Sequence, residues 1–164
     1  MKFDSMEKLY VHELKDLYSA EQQILKALPK MEKAASNPTL RSAFEKHRKV
    51  TEKQVERLEK IFSGLEHRPS GQKCKGMEGV LEEGNDVIKE GVADEVRDAA
   101  LISAAQRVEH YEIAGYGSAR TYANVLGRAD DARLLQQTLD EEGETDKELT
   151  RLAEGIVNRE AARV

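Results

Sequence analysis

The stretch RVEHYEIAGYGSA, residues 107–119, places Glu109 and Glu112 three residues apart among Val108, Ile113, Tyr116 and Ala119. At about 100° per residue, the buried stripe of a helix recurs at steps of three and four. Here it runs Ile102, Ala105, Glu109, Glu112, Tyr116, Ala119, Ala123, with Glu109 at its centre and Glu112 to one side. Three other stretches repeat the pattern. One runs Tyr10, Leu14, Leu17, Glu21, Ile24, Leu25, Leu28, Met31, with Glu21 central. A second runs Leu40, Phe44, His47, Thr51, Gln54 or Val55, Leu58, Phe62. The third runs Leu135, Thr138, Glu142, Thr145, Leu149, Leu152, Ile156, with Asp146 on its flank. Each apolar stripe thus has a polar interruption near its middle.

Burying one unpaired carboxylate costs several kcal/mol, and burying several together requires cations to neutralise them. Metal ions, protons shared between carboxyls, or Lys and Arg reaching inward would serve. No Lys or Arg falls on the central stripes, so a metal site is the simplest reading. Its candidate ligands are Glu21, Glu109, Glu112 and Glu142, with His47 and Asp146 further out. A carboxylate-rich set with at most one imidazole suits Fe or Mn better than Mg or Ca. The plainer alternatives are acids at a stripe edge reaching water and a core histidine bonded to a neighbour. His110 lies about 100° off the stripe and is assigned to a helix or subunit contact, and His12 to the solvent face. Tyr18 and Tyr116 are expected to send their hydroxyls into the polar layer. Cys74, between Lys73 and Lys75 on a Gly-rich segment, invites a redox reading, but a small inert residue is the simpler assignment.

Four long helices must carry these residues, over about 4–34, 38–64, 93–126 and 129–160. Asn37-Pro38 ends the first, Ser63-Gly64 the second and Leu126-Gly127 the third, and Ala129-Asp130-Asp131 opens the last. The short connections make two antiparallel hairpins. Residues 65–92, holding one Pro and five Gly, form a long crossover with a short amphipathic patch from Met77 to Ile88. The fold class is all-α: a four-helix bundle of the ferritin-like kind, two antiparallel hairpins joined by a long crossover with a short fifth helix. An up-down bundle with a decorated loop is the alternative. Counting outward from the turns brings the four interruptions to one level, to within about a turn. SAEQQI (19–24) resembles RVEHYEI (107–113), and TEKQVERL (51–58) resembles TDKELTRL (145–152), as a duplicated hairpin would.

The 164 residues are read as one domain, 1–164. A net charge of -5 without a basic run argues against nucleic acid. No run approaches about 20 apolar residues and the amino terminus lacks an apolar signal core, so no membrane partner is expected. One cysteine fits a reducing compartment, and the location expected is cytoplasmic.

ELKDLYSAEQQILKALPKMEKAAS, LRSAFEKHRKVTEKQVERLEKIF, KCKGMEGVLEEG, RVEHYEIAGYGSARTYANVLG and LLQQTLDEEGETDKELTRLAE closely resemble the YciF-like bacterial stress proteins over nearly the whole chain. The resemblance implies a ferritin-like bundle in a cytosolic stress-response protein. Its expected assembly is a homodimer, with a related ferritin-like protein as the other candidate partner. Oxidative-stress or iron handling is the implied activity, and a non-enzymatic dimeric scaffold or partner-binding protein with a vestigial metal site is the alternative. The wider superfamily, rubrerythrins and manganese catalases included, holds two metals with Glu, Glu-x-x-His, Glu and Glu-x-x-His on successive helices. Glu21 matches the first position and Glu109 or Glu112 the third. The second helix offers Thr51-x-x-Gln54 with His47 a turn earlier, and the fourth Glu142-x-x-Thr145 then Asp146, without histidine. A site for one metal, for two held weakly, or for none fits these departures better than a complete two-metal centre.

Overall fold

A computed structural model describes residues 4–164. Helix α1 (Met6–Ala34) starts where the Ser5 side chain accepts the Lys8 amide, and ends at Ala35 in extended backbone. Ser36 and Asn37 then turn the chain into α2 (Pro38–Leu65). Pro38 takes the first helical position, where its missing N–H costs nothing, and Asn37 Oδ1 accepts the amides of Thr39 and Leu40. Asp98, from helix α4 (Asp94–Val125), locks this turn: its two buried carboxyl oxygens accept Ser36 N at 2.8 Å, Ser36 Oγ at 2.6 Å and Asn37 N at 2.7 Å. Helix α2 passes through Gly64, where the sequence suggests a stop, and closes one residue later. Glu66 adopts the left-handed conformation (φ 56°) and His67 N reaches Phe62 O.

The Met77–Ile88 patch is α3 (Lys75–Lys89), capped by Cys74 and packed on α1 and α4. Helix α4 (Asp94–Val125) and helix α5 (Ala129–Leu152) form the second hairpin through Gly127, whose φ of 72° suits glycine. The Ala129-Asp130-Asp131 region does not cap α5. Arg128 occupies the cap position without a side-chain bond, and Asp131 instead accepts Tyr10 Oη at 3.2 Å and Arg128 Nε at 2.5 Å. The chain ends in a π-helical turn, Ala153–Val157, and a short α6, Asn158–Ala161. The wide turn slips the helical phase by about one residue. Val157 is therefore buried, and Ile156, expected on the inward stripe, is 48% exposed.

The hairpins pack face to face, α1 on α4 and α2 on α5, with α3 lying along the first and fourth helices. Two apolar clusters result. One, around Ile24, Leu28, Phe44, Leu101, Ile102 and Leu149, fills the end near the α1–α2 turn. The other, around Leu14, Leu17, Leu58, Phe62, Ala119 and Leu135, fills the opposite end. Between them lies a buried polar layer contributed by all four long helices: Glu21, His47, Thr51, Gln54, Glu109, Glu112, Thr138 and Glu142. At the α1–α4 contact the helices approach closely. A Cβ added at Gly115 would meet Leu17 Cδ2 at 2.7 Å. Among the described residues no helix is long and apolar enough to cross a membrane.

Candidate metal centre

Glu21 and Glu109 are inward because they continue stripes of buried neighbours three and four residues away, among them Leu17 and Ile24 for the first and Ala105 and Glu112 for the second. Glu21, Glu109, Glu112 and Glu142 have no exposed surface and His47 is 5% exposed. His47, Glu109, Glu112 and Glu142 each bring one ligand-capable atom within 4.8 Å of the others. Within this group His47 Nδ1 lies 3.4 Å from Glu109 Oε1.

The hydrogen bonds are unevenly shared. Tyr116 donates its hydroxyl to Glu21 Oε1 in a short contact, and the Gln54 amide donates to Glu142 Oε1 in another. Among the described residues, and apart from protons on the acids themselves, no donor reaches either oxygen of Glu109 or Glu112, Glu21 Oε2 or Glu142 Oε2, and His47 Nε2 has no hydrogen bond. Groups so buried almost always have partners, so the orphaned atoms point to an occupant or to protons on the acids themselves.

Burial pushes the carboxyls of Glu21, Glu109 and Glu112 well above the ordinary range, and neighbouring carboxylates push them further: Glu142 first for Glu21 and Glu109, Glu21 first for Glu112. Glu142 is raised by burial to about 7, moderated by hydrogen bonding to Glu109 and Gln54. Burial lowers His47 to about 4, against the opposing pull of Glu148. A neutral imidazole with a free ring nitrogen is the form that binds metals. In the acids, one proton can be shared between Glu21 and Glu112 and another between Glu109 and Glu142. With these protons held the layer is neutral; ionised, its carboxylates would need a cation among them.

The sequence-level candidates divide in two groups. His47, Glu109, Glu112 and Glu142 converge. Glu21 stands beside them, buried and coupled to Glu112 but held by Tyr116. Asp146 lies outside the cluster. Its Oδ1 accepts Gln106 Nε2 at 3.0 Å and sits 3.2 Å from Nε2 of the exposed His110. Tyr18 does not reach the layer: its hydroxyl donates to Glu59 at 3.0 Å, and its ring stands edge-on to Phe62. His12, expected to face solvent, is half-buried, and its backbone carbonyl accepts Gln72 Nε2.

Two contributors escaped the stripe analysis because they sit just off it. Arg57 reaches Thr138 Oγ1 at 3.1 Å and clasps both oxygens of Glu141 at 2.6 and 2.7 Å. Gln54 Nε2, 3.2 Å from Glu141 Oε2, ties this pair to Glu142. The available signal was spacing, since Arg57 follows Gln54 by three and Glu141 adjoins Glu142. Cys74 is structural. Its buried thiol contacts Asp16 Oδ2 at 2.9 Å and Tyr111 Oη at 3.0 Å, burial and Asp16 hold it protonated above the ordinary thiol range, and Lys73 turns away to Glu78.

Comparison with known proteins places this geometry in context. Residues 5–162 match the family described as Domain of unknown function (DUF892). Protein YciF of Escherichia coli is 46% identical over 162 residues, covering 98% of each chain. The crystal structure of that E. coli stress protein superposes with a TM-score of 0.91, covering 94% of this chain and 98% of the other at 46% identity. YcfI of Rhodopseudomonas palustris, described as a candidate structural protein, gives 0.88 at 42% identity, covering 91% and 95%. A Xanthomonas campestris protein 21% identical shares the fold, with a TM-score of 0.76 over 96% and 97%.

Proposed function

The chain belongs to the family described as Domain of unknown function (DUF892), and from that premise we propose that it is a ferritin-like stress-response protein binding Fe or Mn in its core. One observation carries the reading. Glu109 and Glu112 place four carboxyl oxygens in the interior with no donor among the described residues, beside an uncharged His47. A cation is the partner such a set lacks, and one imidazole with several carboxylates suits Mn or Fe. His47, Glu109, Glu112 and Glu142 would hold it, with Glu21 behind. When bound, the metal would supply one-electron exchange with oxygen or peroxide, the chemistry of oxidative-stress or iron handling.

This chain's own contribution is positional. Gln54 aims Glu142, Tyr116 aims Glu21, and the two apolar clusters keep water from the layer. In this reading residues 1–164 form one bundle domain, placed in the cytoplasm and assembled as a homodimer or with a related ferritin-like protein.

A second reading, a non-enzymatic helical scaffold, is favoured by the proton sharing of Glu21 with Glu112 and Glu109 with Glu142, which satisfies the layer without metal. Metal analysis of protein purified without chelator separates the two. Bound Mn or Fe near one per chain, and stabilisation by about 2.7 kcal/mol at a hundredfold excess over Kd, is expected, with both lost in Glu112→Ala. Substoichiometric metal and a melting temperature indifferent to added Mn(II) or Fe(II) would leave the scaffold standing.

A further inference from the structure

The cluster is sealed on most sides, and how a hydrated cation would reach it is a separate question. Two stretches of the α2–α5 seam come near it. At one, Arg57 bonds Glu141 and Thr138 and places a guanidinium, 13% exposed, in the way of any incoming cation. At the other, about three turns along α2, a shallow groove of about 20 Å3, room for about one water, opens to solvent. Its walls are apolar, from Phe44, Val50 and Leu149, and His47 forms part of its lining. At its rim Lys46 Nζ grips Glu148 Oε2 at 2.7 Å, and both side chains reach water. On the other side of His47 lies a second, smaller space of about 10 Å3, bordered by Leu28, Ala105, Val108 and Glu109. Among the described lining residues, His47 is the one the two spaces share. The imidazole thus stands between the groove and the space beside Glu109.

We propose that this groove is the entrance through which a divalent cation reaches the core, with Glu148 as the capturing carboxylate, Lys46 as its latch and His47 as the door. The inference rests on the metal-binding reading above. Glu148 is the carboxylate on the groove, so a cation displacing Lys46 from it arrives against the His47 ring. A ring nitrogen of His47 can take the cation there and pass it on to Glu109, whose Oε1 lies 3.4 Å from Nδ1. Beyond Glu148 and His47 the lining offers a cation only the Thr145 hydroxyl, which is engaged with Glu141 O at 3.0 Å. Because Glu148 and Lys46 lie outside the ligand set, they govern the rates of arrival and departure and leave the equilibrium alone.

The test is stopped-flow mixing of the metal-free full chain with Co(II), followed by its absorbance, with wild-type protein, Glu148→Gln, Lys46→Gln and Arg57→Gln. Glu148→Gln is expected to slow association and dissociation together by about tenfold at low ionic strength, with Kd nearly constant. The difference should shrink as salt screens the rim charges. Lys46→Gln, which frees Glu148, should accelerate both, and by more than Arg57→Gln, which acts only through Glu141 and Gln54 on Glu142. Acceleration by Arg57→Gln and not by Lys46→Gln would overturn the proposal and assign passage to the other stretch of the seam. So would a Glu148→Gln effect confined to dissociation, since Glu148 would then be a ligand. Wild-type protein that binds Co(II) at rates indifferent to all three changes defeats the entrance alone. Wild-type protein that binds no Co(II) defeats the metal reading and the entrance with it.

Discussion

Replacing Glu142 with Gln in metal-free protein should change how stability depends on pH. Burial raises the Glu142 carboxyl from 4.5 to about 7, and at 1.36 kcal/mol per unit this amounts to about 3 kcal/mol. The folded chain holds this proton more tightly than the unfolded one. The stability it contributes is full below the unfolded value and is lost as pH rises through about 7. His47 has the opposite sign. Burial lowers it from 6.5 to about 4, so its contribution is full above 6.5 and is lost as pH falls towards 4. Between about 4.5 and 6.5 the two slopes oppose each other. Above that range Glu142 acts without this opposition, and the raised carboxyls of Glu21, Glu109 and Glu112 add to the decline. The side-chain amide introduced by Glu142→Gln cannot ionise, yet it keeps a carbonyl oxygen for the Gln54 amide. The stability of wild type minus variant should therefore fall by at least about 3 kcal/mol between about pH 4.5 and pH 8, since removing the Glu142 charge also relieves Glu21 and Glu109. For a chain of this size that corresponds to about 6–12 °C in melting temperature. Urea unfolding followed by circular dichroism in chelator measures it. Parallel curves for the two proteins across this range would refute the argument, because they would mean that Glu142 titrates alike folded and unfolded.

Two further outcomes test how the scaffold holds the layer. Asp98→Ala leaves the amides of Ser36 and Asn37 and the Ser36 hydroxyl without their buried acceptor, and should cost about 3 kcal/mol in thermal unfolding. Gly115→Ala should destabilise by about 1–3 kcal/mol, because its methyl would collide with Leu17. Gly143→Ala, on a helical face where a Cβ meets nothing within 4 Å, should stabilise by up to about 1 kcal/mol, and equal melting temperatures for the two glycine variants would contradict the packing account.

Much of this molecule is legible in the chain. The Asn37-Pro38 turn, the Gly127 turn and the three- and four-residue apolar periodicity place the ends of all four long helices to within a few residues, except that the last is interrupted after Leu152. Periodicity succeeds because each stripe must find an apolar partner, and four such stripes leave few arrangements. It fails where the period itself changes: the π-helical turn exchanges Ile156 for Val157 as the inward residue. It also fails just off the stripe. Asp146 has nearly the phase of a ligand, but Gln106 and His110 on α4 draw it outward, and Arg57 is long enough to reach inward from the flank.

The inward direction of Glu21, Glu109 and Glu142 on three of the four stripes, with Glu112 to one side, follows from helical phase along the chain, whatever the loops do. Helical phase states direction and says nothing of height, since a shift of one turn along the bundle keeps every stripe inward. Height is set by how the hairpins abut. Asp98 bracing the α1–α2 turn and the close approach of Gly115 to Leu17 fix that level, and with it the meeting of His47, Glu109, Glu112 and Glu142. Tertiary packing likewise leaves Glu21 with Tyr116, turns Asp146 away, and places His47 between the groove and the interior. Each of these depends on contacts between helices, and such contacts have no counterpart in the spacing of residues along one of them.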